Sequence, residues 1–294
     1  MPRRPQWTLR DLPSQAGRCV VITGATGGIG LAQARALTAA GARVVLAVRN
    51  RAKGEALAAE LGASAHVANL DVSELSSVQR FADACPEIDV LINNAGVMAI
   101  PLRRTTDGLE AQLATNHLGH HLLTSLLLDR IRDRVVVVAS QAHRHSHPVV
   151  DDLNWERRPY SAYAAYADSK LANLLFLAEL QRRLTAAGST LRVTGAHPGY
   201  TSTGITANTG SRGFGLLSTA GNRLFGMSAE QGALPILFAA TLDVPGNSYV
   251  GPHGPGELWG SPVLVGRSAL ASDPALARAV WAWSDSVTGA SWSV

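Results

Sequence analysis

Short apolar runs alternate with longer stretches of helical periodicity along most of the chain. The apolar runs are CVVIT (19–23), RVVLAV (43–48), VLIN (90–93), RVVVVAS (134–140) and LRVTGAH (191–197), with a weaker one in SAHVANLD (64–71). They are rich in Val and Ile without polar alternation, which is typical of strands covered by helices on both faces. Helical patterns lie between them at about 28–41, 51–61, 74–84, 107–130 and 162–187. This order predicts an α/β protein with a doubly wound parallel sheet.

No repeat or low-complexity linker divides the 294 residues. We therefore expect a single Rossmann-type domain, with a cofactor half over about 16–140 and a catalytic and substrate half over about 141–294. The C-terminal part is richer in Gly and Pro, and it is expected to cap the substrate site. Small residues between 200 and 230 predict a mobile lid, and DPALARAVWAWSDSVTG predicts a final amphipathic helix.

Composition narrows the class of protein. Hydrophobic residues make up 46% and charged residues 16%, with a formal net charge of +4. The positive charges are spread along the chain, so we expect no nucleic-acid partner. Cys19 and Cys85 make no disulfide framework, and no apolar run approaches the ~20 residues that span a bilayer. We expect a cytoplasmic protein without membrane contact.

A glycine-rich turn follows the first apolar run, in CVVITGATGGIG. Gly24, Gly28 and Gly30 leave backbone N–H groups open to a pyrophosphate at a helix N-terminus. The spacing is TGxxxGIG and not GxGxxG, so a turn without ligand is the alternative. The predicted cofactor contacts here also include Thr26 and Ile29.

Charge at the end of the second run indicates which dinucleotide binds. Arg49 stands about 20 residues past the glycine turn, where an NAD enzyme usually holds an acid. A guanidinium can pair with a 2′-phosphate, and Asn50, Arg51 and Lys53 add polar and positive groups. We therefore expect NADP(H) more than NAD(H), with Arg49 and Asn50 in contact; the alternative is a solvated basic loop.

Two further strand ends supply the remaining contacts on the adenosine side. NLDVS follows the third strand, where Asp71 can accept a hydrogen bond from the adenine amine and Val72 lies beside it. INNAG follows the fourth strand, and its small residues let the backbone approach the ribose closely. The predicted contacts there are Asn93, Ala95 and Gly96.

These motifs, in this order, resemble those of the short-chain dehydrogenase/reductase family. The resemblance covers roughly residues 16–250 and rests on TGATGGIG, NNAG, YADSK and HPG. It is closest to the retinol dehydrogenase and protochlorophyllide reductase-like branch, as found in bacteria, through TNHLGHHLLTSLLL, SQAHR, DDLNWERRPYSAYAAYADSKLANLLF and GPHGPGELWGSP.

The resemblance implies a catalytic tetrad of Asn116, Ser140, Tyr166 and Lys170. Tyr166 and Lys170 are four residues apart and share one face of a helix. Tyr166 would exchange a proton with the substrate, and Lys170 with the positive nicotinamide would lower the tyrosine pKa. Both also belong to the implied cofactor contacts. Ser140 would polarise the substrate oxygen, and Asn116 would hold a water that relays protons.

The family also implies cofactor contacts after the sixth strand, in HPGYTST. These are Pro198, Gly199, Thr201 and Thr203, near the nicotinamide carboxamide and the pyrophosphate. The implied activity is hydride transfer between NADP(H) and a ketone, aldehyde or alcohol, as in a ketoreductase, with a medium or large apolar substrate. Among possible assemblies, a homodimer and a homotetramer both stay open.

Three alternatives stay beside this prediction. A dinucleotide-binding regulator without catalysis would keep the glycine turn and lose the tyrosine or lysine, and an epimerase would show GxxGxxG. The alternating histidines of HRHSHP (143–148) are of a type that binds Zn²⁺, but we favour a solvated loop and expect no metal. For GHH (119–121) we expect helix surface or packing.

Overall fold

The computed structural model describes residues 6–201 and 227–294. The strands within these residues are β1 Cys19–Thr23, β2 Arg43–Val48, β3 Ala65–Asn69, β4 Ile88–Asn93, β5 Ile131–Val138, β6 Arg192–Ala196, β7 Tyr249–Pro252 and β8 Pro262–Leu264. The α-helices are α1 Gly28–Ala39, α2 Arg51–Leu61, α3 Leu75–Ala84, α4 Ala111–Leu113, α5 Gly119–Leu127, α6 Ala162–Ala186, α7 Ala229–Thr241 and α8 Pro274–Thr288. A π-helical segment, Ala114–Leu118, joins α4 to α5.

All eight strands form one sheet in the order β3-β2-β1-β4-β5-β6-β7-β8. Every neighbouring pair is parallel except β7 with β8, which is antiparallel. The chain runs outward from β1 in one direction and from β4 in the other. The crevice between β1 and β4 is therefore the switch point at which doubly wound sheets bind their ligands.

Two hydrophobic clusters cover the two faces of the sheet. Alternate residues of each strand divide between them, so that Val21 and Leu91 join one cluster while Ile22 and Ile92 join the other. The first cluster packs against α3, α5, α6 and α8, and the second against α1, α2 and α7. Burial on both faces explains why the strands are continuously apolar.

The doubly wound sheet predicted from the sequence is confirmed, and β1 and β2 have the predicted bounds. The predicted helix over 107–130 was wrong in detail: it begins at Ala111, because Glu110 caps it by accepting hydrogen bonds from Gln112 and Leu113. The sequence analysis missed α7, β7 and β8. The final helix is present as α8, capped by Asp273. The predicted lid lies mostly outside the described residues.

Among residues 6–201 and 227–294, no helix combines the length and the apolar composition needed to cross a bilayer.

Candidate active site

A cleft of about 530 Å³ opens at the carboxyl ends of the strands, beside the switch point. Fourteen of the predicted site residues line it: Gly24, Thr26, Gly28, Ile29, Gly30, Arg49, Asn50, Asp71, Val72, Ala95, Gly96, Tyr166, Lys170 and Pro198. The fold therefore brings the glycine turn, the basic strand end and the tyrosine–lysine pair to one cavity.

The glycine turn is shaped by close backbone approach. Gly24 has a left-handed φ of +69°, and a Cβ there would lie 3.1 Å from Ala95. A Cβ on Gly30 would lie only 2.5 Å from the Gly24 carbonyl oxygen. Side chains at these positions would clash with the turn itself and with the neighbouring NNAG segment. The turn therefore leaves the N-terminus of α1 accessible to an anionic group such as a pyrophosphate.

Thr23, at the end of β1, fixes the NNAG turn. Its hydroxyl oxygen accepts hydrogen bonds from the backbone N–H groups of Asn94 and Ala95, each at 2.9 Å. The side chain of Asn94 donates to the Thr23 carbonyl at 2.8 Å and lines the cleft. Asn93, the predicted contact, points away: it is buried and donates to Thr124 at 3.0 Å. The register of β4 decides which asparagine faces the cleft, and the NN doublet does not reveal it.

Arg49 lies at the far end of the cleft with Asn50 and Lys53. Its side chain is 78% exposed and approaches Asp71 at 3.7 Å. Asp71 also accepts hydrogen bonds from Ser73, through the backbone at 3.0 Å and the hydroxyl at 2.6 Å. Asn50 caps α2 by accepting from the Lys53 backbone N–H. An exposed guanidinium and a helix N-terminus therefore flank this end, which suits a phosphate.

Tyr166 and Lys170 lie one turn apart on α6, which Ser161 caps. The Lys170 Nζ lies 5.8 Å from the centroid of the Tyr166 ring and donates to the Val138 carbonyl at 3.1 Å. A Cβ on Gly96 would lie 3.5 Å from the same Nζ. The lysine is thus held between the end of β5 and the NNAG turn.

Asn116 lies in the π-helical segment, behind the cleft wall. Its side-chain oxygen accepts from the Val97 backbone N–H at 2.8 Å, and its amide donates to the Val97 carbonyl at 3.0 Å and to Ser169 at 2.9 Å. A hydrogen bond of 3.2 Å also joins the Asn116 carbonyl to the ring of His120. Through its bonds to Val97 and Ser169, Asn116 connects α6 with the turn after β4. It does so from a π-helical segment, a kind of insertion that often occurs at functional sites.

Burial controls the charge states of the tyrosine and lysine. Burial raises the pKa of Tyr166 to about 12, although a hydrogen bond with Ser140 acts to lower it. Burial also lowers the pKa of Lys170 to about 8. In the protein alone, desolvation outweighs the other influences on the phenol. Tyr166 therefore keeps its proton at neutral pH. That Lys170 together with a bound nicotinamide lowers the tyrosine pKa stays a prediction.

Ser140 follows β5 and caps a short 3-10 helix, Gln141–His145, by accepting from the Ala142 backbone N–H at 3.2 Å. It is hydrogen-bonded to Tyr166 but is not part of the cleft lining. Gly199 and Thr201 also lie outside the lining, although Pro198 belongs to it. Thr203 falls outside the described residues.

The segment after Ser140 is anchored to α6. Asp168, buried on α6, accepts hydrogen bonds from Ser146 at 2.6 Å and from Arg158 at 2.7 Å. The Arg158 guanidinium stacks 3.5 Å from the centroid of Trp155. Trp155 itself has a left-handed φ of 54°, which is rare for a bulky residue. These contacts attach the segment at Ser146 and at Arg158 to α6.

One histidine prediction needs correction. His143 is not solvated: it is fully buried, and its ring bonds the Ser140 carbonyl at 2.7 Å and the Ser268 backbone N–H at 3.1 Å. For His120 and His121, packing is found and not helix surface. His120 bonds Thr23 at 2.9 Å, and His121 bonds Asp285 of α8 at 2.7 Å, both as buried side chains. In each case a partner distant in sequence compensates for burying the ring.

Comparison with known proteins agrees with this geometry. A family model described as short chain dehydrogenase matches residues 18–212. The chain is 42% identical over 217 residues to retinol dehydrogenase 13 of Homo sapiens, and the match covers 68% of this chain and 65% of that protein. It is 38% identical over 305 residues to polyprenol dehydrogenase of Mus musculus, covering 95% of this chain and 86% of that one. The chain thus spans less than two thirds of the retinol dehydrogenase.

A solved structure from Mycobacterium paratuberculosis, of an uncharacterised protein, is 48% identical with a TM-score of 0.87, covering 99% of this chain and 100% of that chain.

Proposed function

The chain belongs to the short-chain dehydrogenase/reductase family, in its retinol dehydrogenase-like branch, and on that premise we propose that it is an NADP(H)-dependent oxidoreductase acting on a carbonyl or alcohol group. The observation that carries this proposal is that Tyr166 and Lys170 line the same cleft as the glycine turn. A proton donor and a dinucleotide site in one cavity are the two requirements of carbonyl reduction.

The residues of the cleft fit a dinucleotide. The turn at Gly24 and Gly30 would hold the pyrophosphate, and Lys170 would hold the ribose next to the nicotinamide. Arg49 and Lys53 would meet the 2′-phosphate of NADP(H), since both are cationic and line the distal end. When bound, the nicotinamide supplies or accepts a hydride.

Tyr166 provides the proton. With its pKa raised to about 12 by burial, the phenol is protonated at neutral pH and can donate to a carbonyl oxygen as that oxygen gains charge. The Ser140 hydroxyl is hydrogen-bonded to the phenol and has one proton, which it would turn toward the substrate oxygen when that oxygen lies beside Tyr166. The reverse reaction would return the alcohol proton to Tyr166.

The substrate class follows from the walls near Tyr166. Met98 and Ile100 line the cleft beside Val97, and Ala142 packs against Tyr166. This apolar lining favours a medium or large apolar ketone or aldehyde. Two curated relatives are named for alcohols, retinol and polyprenol, which agrees with this choice.

The test is NADPH oxidation with a panel of apolar aldehydes and ketones, comparing wild type with Tyr166→Phe. We expect the variant to lose about 10²- to 10⁴-fold in kcat, because the ring stays and the proton is removed. NADPH affinity, measured by fluorescence titration, should stay within about threefold. Tyr163→Phe is the matched control, since Tyr163 lies one turn earlier on α6 and is 47% exposed.

Tight NADPH binding without turnover of any panel member would favour a dinucleotide-binding regulatory protein. A Tyr166→Phe variant as active as the control would exclude Tyr166 as the proton donor.

A further inference from the structure

The segment 253–268, which we name the return segment, comes back to the catalytic edge of the sheet. It contains a short 3-10 helix, Pro255–Glu257, followed by β8. The backbone N–H of Tyr200 donates to the Leu258 carbonyl at 2.9 Å. The return segment thus lies against the turn that follows β6, next to the predicted nicotinamide end of the cleft.

His197 connects this turn to the return segment. Its Nδ1 accepts a hydrogen bond from the Gly199 backbone N–H at 3.3 Å, and its Nε2 lies 2.9 Å from a carboxylate oxygen of Glu257. Since Nδ1 accepts, the proton of the neutral ring is on Nε2 and is donated to the carboxylate. Burial lowers the pKa of His197 to about 3, so the ring stays neutral.

His143 makes a second connection of the same kind. Its Nδ1 donates to the Ser140 carbonyl at 2.7 Å, and its Nε2 accepts from the Ser268 backbone N–H at 3.1 Å. A carbonyl can only accept and a backbone N–H can only donate, so this ring also has one fixed tautomer. The return segment is therefore bonded to the catalytic serine turn as well as to the Gly199 turn.

Glu257 lies where the two connections meet. Its carboxylate accepts from His197 and from the side chain of Gln141, the residue after Ser140, and Arg144 approaches it at 3.7 Å. Its backbone has a left-handed φ of 58°. A non-glycine residue in this conformation is uncommon, and such residues cluster at functional sites.

We propose that Glu257 is a positioning residue of the active site, which acts through His197 on the Gly199 backbone and through Gln141 on the Ser140 turn. This inference rests on the proposed function, because it assigns the role to the same site. Neither Glu257 nor His197 touches the reacting atoms. Their effect is on the placement of the two turns, and displacements of about 1 Å cost on the order of 10²-fold in rate.

The first test follows the Gly199 hydrogen bond directly and needs no turnover. Amide hydrogen exchange is measured on a peptide covering 197–201 in Glu257→Ala, His197→Gln and the control Glu87→Gln. Glu87 is an exposed glutamate that also pairs with an arginine, at the opposite end of the sheet. We expect exchange at least about tenfold faster in the first two variants, because each loosens the acceptor of Gly199, and wild-type exchange in the control.

The second test is kinetic. Glu257→Ala should lower kcat by about ten- to hundredfold, whereas Glu257→Gln, which keeps an acceptor oxygen at the same reach, should recover most of the rate. His197→Asn keeps an acceptor for Gly199 and loses the donor to Glu257. When His197→Asn is combined with Glu257→Ala, we expect little further loss of kcat, because both changes break the same hydrogen-bonded connection from Glu257 through His197 to Gly199.

The outcomes separate the two proposals. Unchanged exchange in Glu257→Ala, or losses that multiply in the double variant, would overturn the role of Glu257 whatever the enzyme reduces. Faster exchange in a protein that turns over no carbonyl would support the connection and refute the proposed function.

Discussion

Replacing Arg49 with alanine tests which cofactor the cleft binds. Arg49 lies directly after β2, whose carboxyl end points to the adenosine ribose in a doubly wound sheet. The side chain is 78% exposed, and its nearest acid is Asp71 at 3.7 Å. An exposed pair at that distance contributes only about 0–1 kcal/mol. The guanidinium is therefore free to turn toward a 2′-phosphate at little cost.

The size of the effect follows from the bonds that are lost. A charge-assisted hydrogen bond contributes about 1.5–3 kcal/mol, which corresponds to roughly ten- to hundredfold in affinity. Without Arg49, the Asp71 carboxylate would face the phosphate with no cation between them, which adds to the loss. Lys53 lines the same end and offsets part of it. We expect the Michaelis constant for NADPH to rise at least about tenfold.

The assay compares Michaelis constants for NADPH and NADH in wild type, Arg49→Ala and Arg51→Ala. Arg51 is a matched control, since it is 67% exposed and already pairs with Glu55 at 2.7 Å. NADH lacks the phosphate, so its constant should stay nearly unchanged in both variants. Equal losses with both cofactors would mean that Arg49 supports the fold. A wild-type enzyme that prefers NADH would refute the assignment to NADP(H).

Three further predictions concern buried groups. Asp168→Asn should cost about 1.5–3 kcal/mol in urea unfolding, because it removes the charge-assisted bond from Arg158 and leaves that guanidinium only Asp152, at 3.6 Å; a loss below about 0.5 kcal/mol would contradict the anchoring role. Burial lowers the pKa of Lys170 to about 8 from 10.5, so between these two pH values the amine is protonated in the unfolded chain and neutral in the folded one. The wild type should therefore gain stability as the pH rises through this window, and Lys170→Met should lose that gain. Burial lowers the pKa of His120 to about 4 from 6.5, so stability should fall as pH drops through that range, and His120→Asn should show a slope about one proton smaller.

The parts of the fold that local pattern specifies were predicted well. β1 and β2 were found at their predicted bounds because an unbroken apolar run between polar or glycine residues has few other structures available. β7 and β8 were missed because they are short and lie among glycines and prolines. Their place in the sheet depends on the pairing of β7 with β6 and of β8 with β7, which the local pattern does not encode.

The site residues also divide into those that a local pattern specifies and those that depend on partners distant in sequence. The glycine turn and the tyrosine–lysine pair have fixed spacings, so the sequence identified them. His143 was expected in solvent because its neighbours are polar, yet it is buried by a bond to Ser268, which is 125 residues further along the chain. His121 is likewise buried by Asp285, 164 residues away. Such partners come together only through the return of the chain to the sheet, and a single sequence does not show them.

The charge state of the tyrosine depends on burial, which spacing alone does not give. The separation of four residues predicted that Tyr166 and Lys170 share a helix face, and from this we expected Lys170 to lower the pKa of Tyr166. In the protein alone, burial moves both groups toward their neutral forms, with the pKa of Tyr166 raised and that of Lys170 lowered. A protonated phenol can donate to a carbonyl oxygen without any prior ionisation. Removing a proton from an alcohol, by contrast, first requires a tyrosinate, which the protein alone disfavours. For the protein alone, the burial of this pair therefore favours the protonated phenol, which is the form that donates to a carbonyl oxygen.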